Sequence, residues 1–145
     1  MINTANLNEA RKQIQNTKEK PIIVKSQNPE FDRKILEFGN FNILLSVEKI
    51  KGKDNSKYLN SGLNHVLAKI AAKNKIAMGI NIEEISRLEK KQKALLLSII
   101  KQNIKTCRKA QCKIALLNYK DQKDAQNLFT SLGASTKQAK EATDF

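Results

Sequence analysis

The stretch SGLNHVLAKIAAKNKIAMGINIEEI, residues 61–85, changes its hydrophobic period part-way along. Leu63, Val66, Leu67, Ile70 and Ala71 recur at helical spacing, which predicts an amphipathic helix with Ser61 as its N-cap and Asn74 at its end. From Ile76 to Ile80 the run IAMGI is continuously apolar, the pattern of a strand buried on both faces. A helix that leads at once into a buried strand is part of a βα repeat, and the rest of the chain extends it.

Three other short apolar runs read the same way: Pro21 to Val24, Phe41 to Val47 and Lys113 to Leu117. Helical patterns lie between and after them. Asn28-Pro29-Glu30 supplies an N-cap, a proline at the first helical position and an early acid, followed by Phe31, Ile35 and Leu36 on one side. The longest helix runs from about Glu89 to Ala110, with Leu96, Leu97, Ile100, Ile104 and Cys107 on one side and Lys101, Lys105 and Arg108 opposite. Ala125, Leu128, Phe129 and Leu132 mark a further helix that Gly133 ends, and Ser135 to Gln138 has capping-box spacing for a last one. Leu7, Ala10 and Ile14 mark a helix at the start of the chain.

One helix followed by four βα units calls for a parallel sheet with right-handed crossovers. The expected product is a single α/β domain over residues 1–145, with an N-terminal helix in 1–19 and the βα units and C-terminal helices in 20–145. Four strands are too few to close a barrel of eight. The sheet of about four strands with flanking helices is therefore either a small three-layer arrangement or an incomplete TIM-barrel-like domain. An incomplete barrel leaves a sheet edge, which a partner or the N-terminal helix is expected to cover.

Charge narrows the function. The 145 residues hold 27 Lys and Arg against 14 Asp and Glu, a formal net charge of +13. Such an excess points to an anionic partner, nucleic acid before membrane surface or acidic protein. With no Trp and only 5% aromatic residues, contacts to phosphate rather than base stacking are the expected device. No apolar signal-like region follows Met1 and no run is long enough to span a bilayer, so a reducing, cytoplasmic location is expected.

The constellations that carry catalysis or bind metal are missing from the sequence. His65 is the only histidine, set across from the apolar stripe of its helix, and no G-x-S-x-G elbow or other nucleophile signature accompanies it. Cys107 and Cys112 have no second cysteine pair or histidine cluster and read as small buried apolar residues. Glu83 and Glu84 are adjacent in sequence and suit the start of a helical turn. There is neither a G-x-G-x-x-G nor a Walker-type loop. No catalytic residue, metal ligand or protein-bound cofactor is expected.

What remains is the basic surface. Between Arg87 and Lys113 there are nine basic residues and a single acid, Glu89. Lys101, Lys105, Arg108 and Lys109 are the candidate RNA-binding residues on the long helix. A second patch, Lys49, Lys51, Lys53 and Lys57, lies in the polar segment from Glu48 to Asn60, beyond the C-terminal end of the second strand, where open α/β sheets bind ligands. Asn64 and His65 are candidate RNA or partner contacts beside it.

Read in order, the segments from Lys20 to Ala142 resemble the ribonuclease P protein component 3 family, the archaeal and eukaryotic subunit with a TIM-barrel-like fold. The resemblance is carried by Asn42-Ile43-Leu44, the lysine-rich segment after it, Gly62 to Lys69 (GLNHVLAK) and the small apolar strand Ile76 to Ile80. It continues through Asn103 to Lys109, Leu132-Gly133 and Gln138-Ala139-Lys140. The family's N-terminal βα units have no counterpart and the segment from Asn118 to Lys123 is shorter than its equivalent, as in a shortened archaeal-type member.

The resemblance implies a protein subunit of the endoribonuclease that removes the 5′ leader from precursor tRNA, with the active site and its magnesium ions supplied by the RNA. It implies as partners the ribonuclease P RNA, precursor tRNA, protein component 2 and the other protein subunits. Two further readings stand beside it. One is an independent small RNA-binding or ribosome-associated α/β domain; the other is a truncated TIM-barrel hydrolase that would depend on His65.

Overall fold

The computed structural model describes residues 1–49, with Lys49 by its backbone only, and 62–144. Helix α1 (Leu7–Asn16) is followed by β1 (Ile23–Lys25), α2 (Pro29–Phe38), β2 (Ile43–Leu45) and a 3₁₀ turn at Val47–Lys49. Then come α3 (His65–Lys73), β3 (Ala77–Asn81), α4 (Ile82–Ser86), α5 (Lys90–Ala110), β4 (Ile114–Leu117), α6 (Gln122–Ser131) and α7 (Thr136–Ala142).

Side-chain caps set most of these boundaries. Asn28 accepts from the Phe31 N–H and Pro29 occupies the first turn of α2. Ser135 and Gln138 form the capping box of α7. Each satisfies N–H groups that a helix start leaves without an intrahelical partner. The cap of α3 differs from the expectation. Asn64, not Ser61, is its N-cap, its side-chain oxygen accepting from the Leu67 N–H at 2.9 Å, so the helix starts at His65. Ser61 lies outside the described residues.

The buried stripe of α3 is also turned from the one expected. Val66 is 52% exposed, while Leu67, Ala68 and Ala71 are buried. The buried side takes in Ala68, one position after Leu67, and leaves out Val66, one position before it.

β1 begins two residues after Pro21, because proline has no N–H to give a ladder and the N–H of Ile22 is taken by Asn42 Oδ1 at 2.7 Å.

The four strands form one parallel sheet in the order β1-β2-β3-β4. Ile23, Ile43 and Ala77 lie in one row across it; Leu45, Gly79 and Ala115 lie in another. These rows share one face with Leu117. Val24, Leu44, Met78, Ile80, Ile114 and Leu116 point to the other.

That second face meets the helices. Its side chains form one continuous core with Ala10 and Ile14 of α1, Ile35 and Leu36 of α2, Leu67 of α3, Ile100 and Ile104 of α5, Phe129 of α6 and Ala139 of α7. The first face holds a separate small cluster of Ile43, Ala77 and Ala115, with Ile23 and Leu117 packed against it. Among the described residues, no helix contributes to that cluster. With every described helix on one side, the sheet is a barrel-type α/β fragment and not the three-layer alternative.

The outer edge of β1 is met by the backbone of Ile2. Its N–H donates to the Ile23 carbonyl and its carbonyl accepts from the Lys25 N–H, both at 2.8 Å. The segment before α1, and not the helix itself, therefore supplies the expected edge contact. At the other side of the sheet, α7 packs against β4.

Candidate nucleic-acid interface

Helix α5 is the platform. Its buried side is Leu96, Ile100, Asn103, Ile104 and Cys107, with Leu97 half-buried beside them. Asn103 was not legible as a buried position, because a polar residue three places after Ile100 looks like the end of an apolar stripe. The far end is held from a second direction: Gln138 of α7 donates through Nε2 to the Ile104 carbonyl at 3.2 Å. Gln111 ends the helix in the left-handed conformation, φ 59°, with Arg108 and Lys109 in the last turn, where cations complement the helix dipole.

Lys101, Lys105, Arg108 and Lys109 are all exposed on this helix. The three lysines form no salt bridge with any described residue. Arg108 differs, because its Nη2 donates to the Gly133 carbonyl at 3.0 Å and ties the end of α5 to the turn between α6 and α7. The sequence offered no sign of this tether. The guanidinium keeps further N–H groups, so one group can hold the turn and still face an anion.

A helix fixed in the core on one side and bearing lysines one turn apart on another presents charge at fixed spacing. That arrangement suits a phosphate backbone.

The second expected patch is reached only in part. Lys51, Lys53 and Lys57 and the side chain of Lys49 lie outside the described residues. Glu48, which was expected to belong to the polar segment, is only 3% exposed, and the 3₁₀ turn that holds it packs against α5. Asn64 and His65 are both exposed at the start of α3. The oxygen of Asn64 is used by its cap, and the His65 ring makes no hydrogen bond to any described residue.

The cysteines behave as small apolar groups. Cys107 is fully buried and Cys112 nearly so. The hydrogen bond with the Cys112 thiol, together with burial, pushes the Cys107 thiol well above its ordinary range, which keeps it protonated. Asp32 is a buried acid that the helical pattern did not mark. Ser26 Oγ donates to one of its oxygens and the Gln27 N–H donates to the other at 3.0 Å. Burial raises its pKa, against the lowering effect of these two bonds. Among the described residues, no group of three or more His, Cys, Asp or Glu side chains converges on one point.

No family model matches the chain. Ribonuclease P protein component 3 of Methanococcus maripaludis strain C7 is 26% identical to it over 110 residues, which cover 74% of this chain. The same protein from strains C6 and S2 matches to the same extent. The chain resembles ribonuclease P protein component 3. The match spans 44% of the length of these curated relatives. A chain from the cryo-EM structure of archaeal ribonuclease P with mature tRNA has the same fold, with a TM-score of 0.77 at 19% identity over 97% of this chain and 62% of that one. The segments that carry the component 3 resemblance fall on defined elements: Gly62 to Lys69 leads into α3 through its cap, and Asn103 to Lys109 is the C-terminal part of α5.

Among the described residues, no helix is long and apolar enough to cross a membrane.

Proposed function

We propose that the chain is a protein subunit of ribonuclease P, and that it supports removal of the 5′ leader from precursor tRNA by neutralising RNA phosphates. The observation that carries this reading is the row of exposed cations Lys101, Lys105, Arg108 and Lys109 on a helix whose other side is fixed in the core. The net charge of +13 and the resemblance to component 3 support it.

In this reading the protein supplies binding and no chemistry. The active site and its magnesium ions belong to the RNA, and the isolated chain does not turn over substrate. Protein component 2 and the other protein subunits are its partners in the ribonucleoprotein, and the cytoplasm is its compartment. Lys49, Lys51, Lys53 and Lys57 add a second phosphate-binding segment, with Asn64 and His65 next to it in sequence.

The test uses Lys101→Glu/Lys105→Glu, which leaves the structural bond of Arg108 in place. RNA affinity is measured over a range of salt, alongside reconstituted cleavage of precursor tRNA. The double variant is expected to bind more weakly and to flatten the log-log salt dependence by about one for each lysine that contacts phosphate. Its thermal unfolding should match that of the parent chain. Unchanged affinity and slope would remove α5 from the interface. Copurification with ribosomes, without an effect on cleavage, would favour an independent RNA-binding domain. Cleavage by the protein alone, lost in His65→Ala, would make it a hydrolase.

A further inference from the structure

Beyond the C-terminal ends of β3 and β4 the basic character of the surface is reversed. A groove of about 510 Å³ opens between α4 and the start of α6, floored by the connection from Asn118 to Asp121. Its volume lies within the range of small-molecule sites, about 300–1,000 Å³. Ile82, Tyr119 and Leu128 supply apolar wall, all of them half-buried.

Tyr119 is held in place, its hydroxyl donating to the Thr143 carbonyl at 3.0 Å. An aromatic ring fixed at its polar end offers a face that needs no ordering when something packs on it.

The charged groups on the groove are Glu83, Asp121 and Asp124, against one lysine, Lys120. Asp121 caps α6 by accepting from the Asp124 N–H at 2.9 Å. Glu83 pairs with Arg87 at 2.6 Å, but both side chains stay exposed, and such surface pairs hold their charges weakly. Asp124 forms no salt bridge with any described residue and lies exposed. An apolar hollow with a net acidic rim on a chain of net charge +13 repels RNA and favours cations.

We propose that this groove is a docking site for a segment of a partner protein, one that inserts an aliphatic side chain between Ile82, Tyr119 and Leu128 and carries lysine or arginine on either side of it. Charge complementarity selects this occupant. A nucleic acid would meet three carboxylates there, and an acidic peptide would meet them as well. The proposal does not depend on α5 binding RNA, since the two sites share no residue.

The experiment titrates the full chain, labelled with ¹⁵N, with the synthetic peptide acetyl-Arg-Lys-Leu-Leu-Lys-Arg-amide and follows backbone amide shifts. Saturable shifts are expected in Ile82 to Ser86 and Asn118 to Leu128. The counterpart peptide with glutamate in place of lysine and arginine should leave them unmoved. Glu83→Lys/Asp124→Lys changes only exposed side chains and should retain the parent spectrum elsewhere, with peptide affinity lowered by about tenfold or more. Four results would overturn the proposal: no shift, shifts confined to other surfaces, equal binding of the acidic peptide, or the same shifts on raising protein concentration alone, which would assign the groove to a second copy of the chain. Shifts of these amides with an oligouridylate would assign it to RNA instead, and would equally reject it.

Discussion

The two faces of the sheet are built to different scales. On the helical face, Val24, Leu44, Met78, Ile80, Ile114 and Leu116 meet the buried sides of the surrounding helices in one large core. On the opposite face, Ile43 packs with Ala77 and Ala115 in a small separate cluster, and a Cβ added at Gly79 would crowd Ile43 and Leu45. A parallel sheet ordinarily needs cover on both faces. Here, among the described residues, the inner face carries no helix, and its residues include alanine and glycine where the other face carries Leu, Ile and Met, as on strands that coil around a barrel axis.

Removing bulk from the helical face should have the largest effect. Leu44 is fully buried in the large core, and Leu44→Ala is expected to cost about 2–5 kcal/mol through lost burial and the cavity left behind. Denaturant unfolding measures this, and a loss well below that range would mean that the helical layer can collapse onto the gap.

Adding bulk to the inner face should come next. A Cβ at Gly79 would stand 2.5 Å from Ile43 Cγ2 and 3.2 Å from Leu45 Cδ1. Gly79→Ala is expected to destabilise the fold by about 1–3 kcal/mol through overpacking. A neutral or stabilising result in the same measurement would show that Ile43 can move aside, and that the inner face is looser than its burial implies.

The smallest effect concerns pH at the C-terminal end of β1. The pKa of Asp32 is raised by burial, so the folded chain holds this proton more tightly than the unfolded chain does. Stability should then fall as pH climbs from the ordinary aspartate value to the raised one, and stay at the lower level above it. Asp32→Asn keeps an acceptor for the Gln27 N–H and removes the titration. The difference in urea midpoint between parent and variant, followed against pH, should show this fall; a difference that is flat with pH would remove Asp32 as its source.

Much of this architecture is legible in the chain, for reasons that can be located. The apolar runs around Val24, Leu44, Met78 and Ala115 are short and uninterrupted, so they announce strands; burial on both faces holds for β2, β3 and β4, whereas in β1 only Val24 is buried and Ile23 and Lys25 are half-buried. Asn28-Pro29 and the Ser135 to Gln138 box are local signals, satisfied within one turn of the chain. The basic face of α5 needs only helical spacing to be seen.

What failed to show was decided by contacts distant in sequence. Ser61 and Asn64 are both good caps, and periodicity alone cannot choose between them. The hold of Arg108 on Gly133 spans 25 residues, and a basic residue on a polar face carries no mark of such a bond. The acid-rimmed groove joins α4 to α6 across the helix and strand between them, so no single stretch of sequence contains it.

The sequence by itself determined a βα chain with four parallel strands, its principal helices, and a strong excess of positive charge on the longest of them. These follow from the period of apolar residues and from local capping chemistry. Only the tertiary structure decided that every described helix covers the same face, that Ile2 meets the edge of β1, and that acidic side chains gather around an apolar groove. Each depends on which residues the closed fold brings together, and hydrophobic burial is insensitive to the order in which the chain supplies them.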